Sequence, residues 1–289
     1  MLDTREELEK VKSILIGKVR DQVGHRHIHG RPVVLDADGV PHRALFFPAR
    51  TPGAPVFFDI HGGGFCWGMM EEGDLYCHRL NERLGFAVFS LDYPLLPEAV
   101  YPEALEYLYG SVRTVLSRAD EYGIDSERVM VGGRSAGGNL AAALALLSRD
   151  RGEFRIALQV LDHPLLDCCG ILDNSLRYQG GDALPIEMLE SLENWYATPE
   201  QRLEIYCSPL NAKAEELCGA APAVIQTCEH DSLQLDGEVY AEKLCSAGVP
   251  VLFHCYPAVC HGFTEVEGPE QENGIRWLLD AICAMTEGV

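Results

Sequence analysis

The stretch VMVGGRSAGGNLAAALALL, residues 129–147, changes period in the middle. Its opening is the apolar, β-branched run of a short buried strand, and its close is an alanine–leucine helix. At the join, Ser135 stands among Gly132, Gly133, Ala136, Gly137 and Gly138. Gly133-x-Ser135-x-Gly137 between a strand and a helix has the form of a nucleophile elbow. A sharp turn lifts the hydroxyl clear of the sheet edge, and small neighbours let the helix pass close to the strand. The same turn aims the Ala136 N–H and the helix N-terminus at a reacting oxygen. The competing reading is a glycine-rich turn that happens to hold a serine; the strand before it and the helix after it favour the elbow. A phosphate loop is excluded, because no Gly-Lys-Ser/Thr follows.

The rest of the chain extends this alternation. PVFFDI, FAVFSL, RVMVGG, IALQVLD, PAVIQTC and PVLFHCY are short apolar runs suited to a sheet covered on both faces. Helical stretches at 102–122, 139–149, 236–247 and 269–285 separate most of them. RPVVLDADGVPHRALFFPA reads as a hairpin turning at Asp38-Gly39. Counting the hairpin as two strands, the chain predicts an α/β fold with an eight-stranded, mostly parallel sheet whose first pair is antiparallel. Residues 4–20 read as an amphipathic helix opened by a Thr4/Glu7 capping box, with Leu8, Val11 and Leu15 on one face. The segment from about 168 to 221 is long for one connection and holds a helix near 185–196, so it reads as an insertion over one end of the sheet. With no repeat or linker, residues 1–289 are expected to form a single domain.

Hydrophobic residues make up 47% and charged residues 23% of the 289, the balance of a soluble globular protein. A formal charge of -21 argues against nucleic acid and against anionic membrane surfaces as partners. The opening MLDTREELEK lacks the basic-then-apolar order of a signal peptide, and no apolar run is long enough to span a bilayer, so the expected location is cytoplasmic. The 11 cysteines are scattered and form no C-x-x-C, which excludes a zinc ribbon or a thioredoxin-type pair and suggests buried reduced thiols. HCYPAVCH (His254, Cys255, Cys260, His261) holds metal-ligand residue types, but they divide between a strand and the loop after it. Neither a metal nor a cofactor is expected.

Upstream of the elbow, FFDIHGGGFCWG ends a predicted strand in His61-Gly62-Gly63-Gly64. Glycines here let backbone N–H groups approach a carbonyl oxygen with no Cβ in the way; two of them plus Ala136 make an oxyanion hole. His61 reads as a loop-shaping residue rather than a base. A nucleophilic serine needs a base and a group to orient it, and in elbows of this kind the acid and then the histidine follow in the chain. His261 in AVCHGF is the best base. Asp231 in EHDSLQLDG is the best acid, with Glu229 and Asp236 as lesser candidates; Asp236 suits the start of the next helix. His230 crowds the acid, and His254 lies within a strand.

HGGG, DYPLLPEAVYPEAL, GGRSAGGNLAA, HDSLQLDGEVYAEKL and HGF come in that order between about residue 55 and the C-terminus. Together they resemble the hormone-sensitive-lipase-like branch of the α/β-hydrolase esterases. The resemblance implies Ser135 as nucleophile, Asp231 and His261 as its partners, and Gly62, Gly63 and Ala136 as oxyanion donors. It also implies a small cap built from about 1–30 and about 168–221. Tyr93, Pro94 and Glu98 are expected to brace the loop behind the glycines, and Trp67 either lines the acyl or alcohol pocket or sits in the core. One residue departs from the family, which carries Asp directly before the serine where this chain has Arg134. Attack and proton transfer do not need that carboxylate, so the reaction class stands while ester preference is left open. The expected function is a cofactor-free serine carboxylic-ester hydrolase whose partner is a small, soluble, short-acyl ester. A serine peptidase on the same fold and a non-catalytic small-ligand receptor are the alternatives, and a homodimer is left open.

Overall fold

Alternation of side chains sets the layering. In β3 (Ala54–Ile60), Val56, Phe58 and Ile60 join one hydrophobic cluster while Phe57 joins another on the opposite face. The same division runs through β4 (Ala87–Leu91), where Ala87, Phe89 and Leu91 oppose Val88. The computed structural model describes residues 4–286 apart from residue 182, so the expected N-terminal cap segment is described from residue 4.

Among these residues, β1 (Arg31–Ala37), β2 (Val40–Phe47), β3, β4, β5 (Ile124–Arg134), β6 (Ile156–Asp162), β7 (Ala223–His230) and β8 (Val251–Cys260) form one eight-stranded sheet in the order β1-β2-β4-β3-β5-β6-β7-β8. The hairpin turns where expected, with Asp38 and Gly39 both at positive φ (54° and 85°), the backbone a tight two-residue turn requires. Antiparallel pairing extends one step further than expected, because β2 also runs antiparallel to β4; the remaining neighbours are parallel.

The helices are α1 (Arg5–Gly24), α2 (Asp74–Leu84), α3 (Glu103–Leu116), α4 (Ala119–Tyr122), α5 (Ala136–Arg151), α6 (Ile186–Tyr196), α7 (Ala214–Leu217), α8 (Gln234–Ser246) and α9 (Pro269–Thr286). Residues of α2 and α9 cover one face of the sheet, and residues of α3, α5 and α8 cover the other. The Thr4 capping box is present, with Glu7 N–H donating to Thr4 Oγ1 (3.2 Å) and Thr4 N–H to Glu7 Oε2 (3.0 Å). Three expectations need correction. The predicted helix over 102–122 is two helices, broken at Ser117 and Arg118. The helix after the elbow starts at Ala136, not near Asn139. Sequence reading also missed α2, whose signal is Cys77, Leu80 and Leu84 at i, i+3 and i+7. Its Asp74 is buried because the carboxylate accepts the N–H groups of His29 and Gly30.

The cysteines correct the sequence in part. Cys66, Cys77, Cys168, Cys207 and Cys228 are buried, but Cys218 and Cys245 are exposed. β8 runs on through Cys260, so of HCYPAVCH only His261 lies in the following loop. Among the described residues no group of three His, Cys, Asp or Glu is placed to hold a metal, and no helix is long and apolar enough to cross a membrane.

Candidate active site

Parallel strands deliver their C-terminal ends to one edge of the sheet, the usual place for a site in open α/β folds. Here β3 leads into the His61–Gly64 loop, β5 into Ser135, β7 into Asp231 and β8 into His261. Ser135 has φ 54° and ψ −120°, a conformation that side-chain-bearing residues rarely adopt and that costs on the order of 1–3 kcal/mol. The turn is possible because its neighbours lack side chains. A Cβ on Gly133 would lie 2.2 Å from Gly137 O, and one on Gly137 would lie 2.2 Å from Ile60 O. The elbow is pinned by Ser135 N–H to Asp162 O (3.1 Å) and by Asn139 and Leu165 N–H groups to Ser135 O.

His261 Nε2 lies 3.0 Å from Ser135 Oγ, and His261 Nδ1 lies 2.7 Å from Asp231 Oδ2. Asp231 is buried, and burial alone would push its pKa up. The adjacent His261 ring, the hydrogen bond to it and the Leu233 N–H (3.0 Å) outweigh that and hold the carboxyl below its ordinary value. The other acids are occupied elsewhere. Glu229 accepts the Ala258 N–H (2.8 Å). Asp236 sits in the first turn of α8 as expected, but its carboxylate holds the base of the 168–221 segment. It accepts the Leu166 and Asp167 N–H groups (2.8 and 2.9 Å) and Arg177 Nη1 (2.6 Å). His230 stacks on Tyr178, and His254 lies within β8 against Trp277.

The glycine loop approaches the elbow closely: a Cβ on Gly62 would lie 3.4 Å from Ser135 Cβ. Gly63 needs its φ of 105°, and a side chain there would run into Trp67 O. No backbone acceptor among the described residues takes the N–H of Gly62 or Gly63. Ala136 opens α5, so its N–H is one that a helix cannot pair internally. His61 is fully buried, with Nδ1 2.8 Å from Gly62 O; burial pushes its pKa down to about 4, so it is neutral at pH 7. Tyr93 braces this loop, its hydroxyl donating to His61 O (3.1 Å) with Gly62 O at 3.3 Å. Glu98 does not; it pairs with Lys12 of α1, because α1 packs over the loop that carries it.

A cavity opens above Ser135, lined by Gly62, Gly63, Gly64, Trp67, Leu165, Leu184, Met188, Leu189, Leu192, His261 and Glu265. Trp67 therefore both lines the cavity and packs on the core. The leucines and methionine from 184–192 come from the inserted segment, while no described residue of 4–30 lines the cavity.

His163 and the partners of Arg134 went unread in the sequence. His163 is buried edge-to-face against His261, ring centroids 4.6 Å apart, with Nδ1 2.9 Å from Asp162 Oδ1. Burial opposes its charge, but Asp162 outweighs burial and raises its pKa. Arg134 is buried and forks onto Asp59, Nη1 to Oδ1 at 3.0 Å and Nη2 to Oδ2 at 3.1 Å, while Nε donates to Glu265 Oε1 at 3.2 Å. The signal was present: a charge inside the apolar runs PVFFDI and IALQVLD has to find a partner.

The inserted segment also carries a titration with a measurable consequence. Burial, and then the carboxylates of Asp236 and Asp167, push Glu193 up to about 8. A carboxyl raised in the folded state contributes stability below its unfolded value that is lost as pH rises through the folded one. Glu193→Gln imitates the protonated acid. Its Tm should match wild type at pH 4 and exceed it at pH 9 by about 2–4 °C, read by scanning fluorimetry. Equal Tm values at both pH values would refute the assignment.

Comparison with known proteins places the fold in a family. A family model described as alpha/beta hydrolase fold matches residues 57–265. Esterase LipI of Mycobacterium tuberculosis is 32% identical over 78% of this chain and 71% of its own length. An ethyl acetate hydrolase of Pseudomonas putida is 30% identical over 97% of this chain and 89% of its own. The crystal structure of EstE1, a thermostable carboxylesterase from a metagenomic library, superposes with a TM-score of 0.87 at 30% identity, covering 96% of this chain and 97% of the other.

Proposed function

We propose, from the premise that this chain belongs to the alpha/beta hydrolase fold family and to its hormone-sensitive-lipase-like esterase branch, that it is a carboxylesterase working through Ser135, His261 and Asp231 on small short-acyl esters. The observation that carries the proposal is the unbroken line from Asp231 Oδ2 through the His261 ring to Ser135 Oγ, at 2.7 and 3.0 Å. Ser135 Oγ attacks the ester carbonyl while His261 Nε2 takes its proton. Asp231 keeps the other ring nitrogen protonated and stabilises the imidazolium that forms. The N–H groups of Gly62, Gly63 and Ala136 receive the developing oxyanion. His261 then protonates the leaving alcohol, and water releases the acyl group by the same steps in reverse order. No step calls for a cofactor. The partner proposed is the ester alone, in the cytoplasm, within a single domain capped by the inserted segment.

The lining supports short acyl chains: Leu184, Met188, Leu189 and Leu192 of the inserted segment put an apolar wall on the cavity. Each methylene that fits should improve binding by up to roughly 0.8 kcal/mol until the wall is reached. Across a series of p-nitrophenyl esters, kcat/KM should peak at about two to six acyl carbons. Rates still climbing at palmitoyl esters, or jumping once the substrate forms an interface, would sink the short-acyl assignment.

A further inference from the structure

A cation next to the nucleophile suggests a cavity that favours anions, but the packing around Arg134 reverses that sign. The residue is 5% exposed and does not line the cavity above Ser135. Asp59, fully buried on β3, takes the two terminal nitrogens, and Glu265 takes the third. One positive charge is therefore shared between two carboxylates, and the pair leaves a net negative charge. Glu265 is the member that reaches the ligand: its side chain is 41% exposed and lines the cavity with Ser135, His261 and Trp67. Arg134 grips Oε1, so the carboxylate is held at the wall rather than free to swing into solvent.

The neighbouring charges do not cancel it: Arg26, which lines another pocket with Glu265 and Arg134, pairs with Glu267 at 3.6 Å. Asp162 and Asp231 each hydrogen-bond a histidine ring, His163 and His261, so neither pair carries a net positive charge. Glu72 is another carboxyl, pushed up to about 7 by burial and by Glu265 itself, so it adds negative charge above neutrality. Around Ser135 and His261, Glu265 is the carboxylate on a wall otherwise made of glycines, leucines, Met188 and Trp67. An aromatic ring and a carboxylate facing one apolar space are the two groups that attract a weakly hydrated ammonium.

We infer that Glu265 is a specificity residue that makes this cavity prefer esters bearing a positively charged ammonium group over uncharged esters of the same shape. The inference rests on the esterase reading above and names its substrate class. A half-exposed carboxylate within one cavity diameter of an ammonium favours it by about tenfold, and salt weakens the preference.

Acetylcholine and 3,3-dimethylbutyl acetate differ only in a quaternary nitrogen replaced by carbon, so the ratio of their kcat/KM values isolates the charge. Wild type should favour acetylcholine by about tenfold at low ionic strength, and less in about 0.5 M NaCl. Glu265→Gln should bring the ratio to about one whatever it does to the absolute rates, and Glu265→Asp should keep part of the preference. If turnover of the pair is too slow to rank, choline should inhibit p-nitrophenyl acetate hydrolysis at lower concentration than 3,3-dimethylbutanol does. A wild-type ratio of one or less overturns the inference, as does a ratio that Glu265→Gln leaves unchanged. If Glu265→Gln does not fold, a wild-type preference that ignores salt overturns it equally. Failure to hydrolyse even p-nitrophenyl acetate would instead remove the esterase reading.

Discussion

Ser135→Ala should fold normally and lose roughly ten-thousand- to million-fold in kcat on a nitrophenyl ester. The substitution removes only an oxygen, so the strained turn, set by its glycine neighbours and by the Asp162 carbonyl, has no reason to change. Circular dichroism and Tm should therefore match wild type while the rate falls to what binding and the oxyanion donors alone can supply. An organophosphate should label the wild type once, at Ser135, and mass spectrometry of the digest reads the position. Labelling at another residue, or ester hydrolysis surviving in the alanine variant, would overturn Ser135 as nucleophile.

His261→Ala should be about as damaging as Ser135→Ala, and the double variant no worse than either. Attack and proton removal are one event, so losing either partner forfeits the whole of it. Asp231→Asn should lower kcat by roughly ten-thousand-fold, because an amide facing Nδ1 favours the tautomer whose Nε2 is already protonated and cannot serve as base. The neighbouring acids supply the control. Glu229 is committed to the Ala258 N–H, and Asp236 to Arg177 and the backbone at Leu166 and Asp167. Glu229→Gln should leave kcat near wild type. Asp236→Asn should appear chiefly as a loss of Tm. Either variant proving slower than Asp231→Asn would mean that the wrong carboxylate has been assigned.

The sequence carried more of the site than of the cap. The elbow was legible because its conformation depends on what adjacent residues lack: with no Cβ at Gly133 or Gly137, strand and helix can cross at Ser135. The hairpin at Asp38-Gly39 was legible for the same local reason. The glycine loop and the order of Ser135, Asp231 and His261 followed from short motifs at strand ends. Helix α2 was missed because its apolar positions are few, and it is held as much by Asp74 on distant N–H groups as by its own pattern.

What the chain determined by itself is thus the set of backbone turns and the identity of the groups that could react. Tertiary structure alone decided what the two lesser acids, Glu229 and Asp236, hold instead, and which segment lines the cavity. It also decided what becomes of Arg134, whose meaning the chain could not disclose. Its partners Asp59 and Glu265 are 75 and 131 positions away in sequence, yet they lie within 3.2 Å of the guanidinium. Backbone conformation is governed by neighbours along the chain. The sign of a cavity is governed by which charges are brought together and which of them is left facing it, and only the folded sheet brings them together.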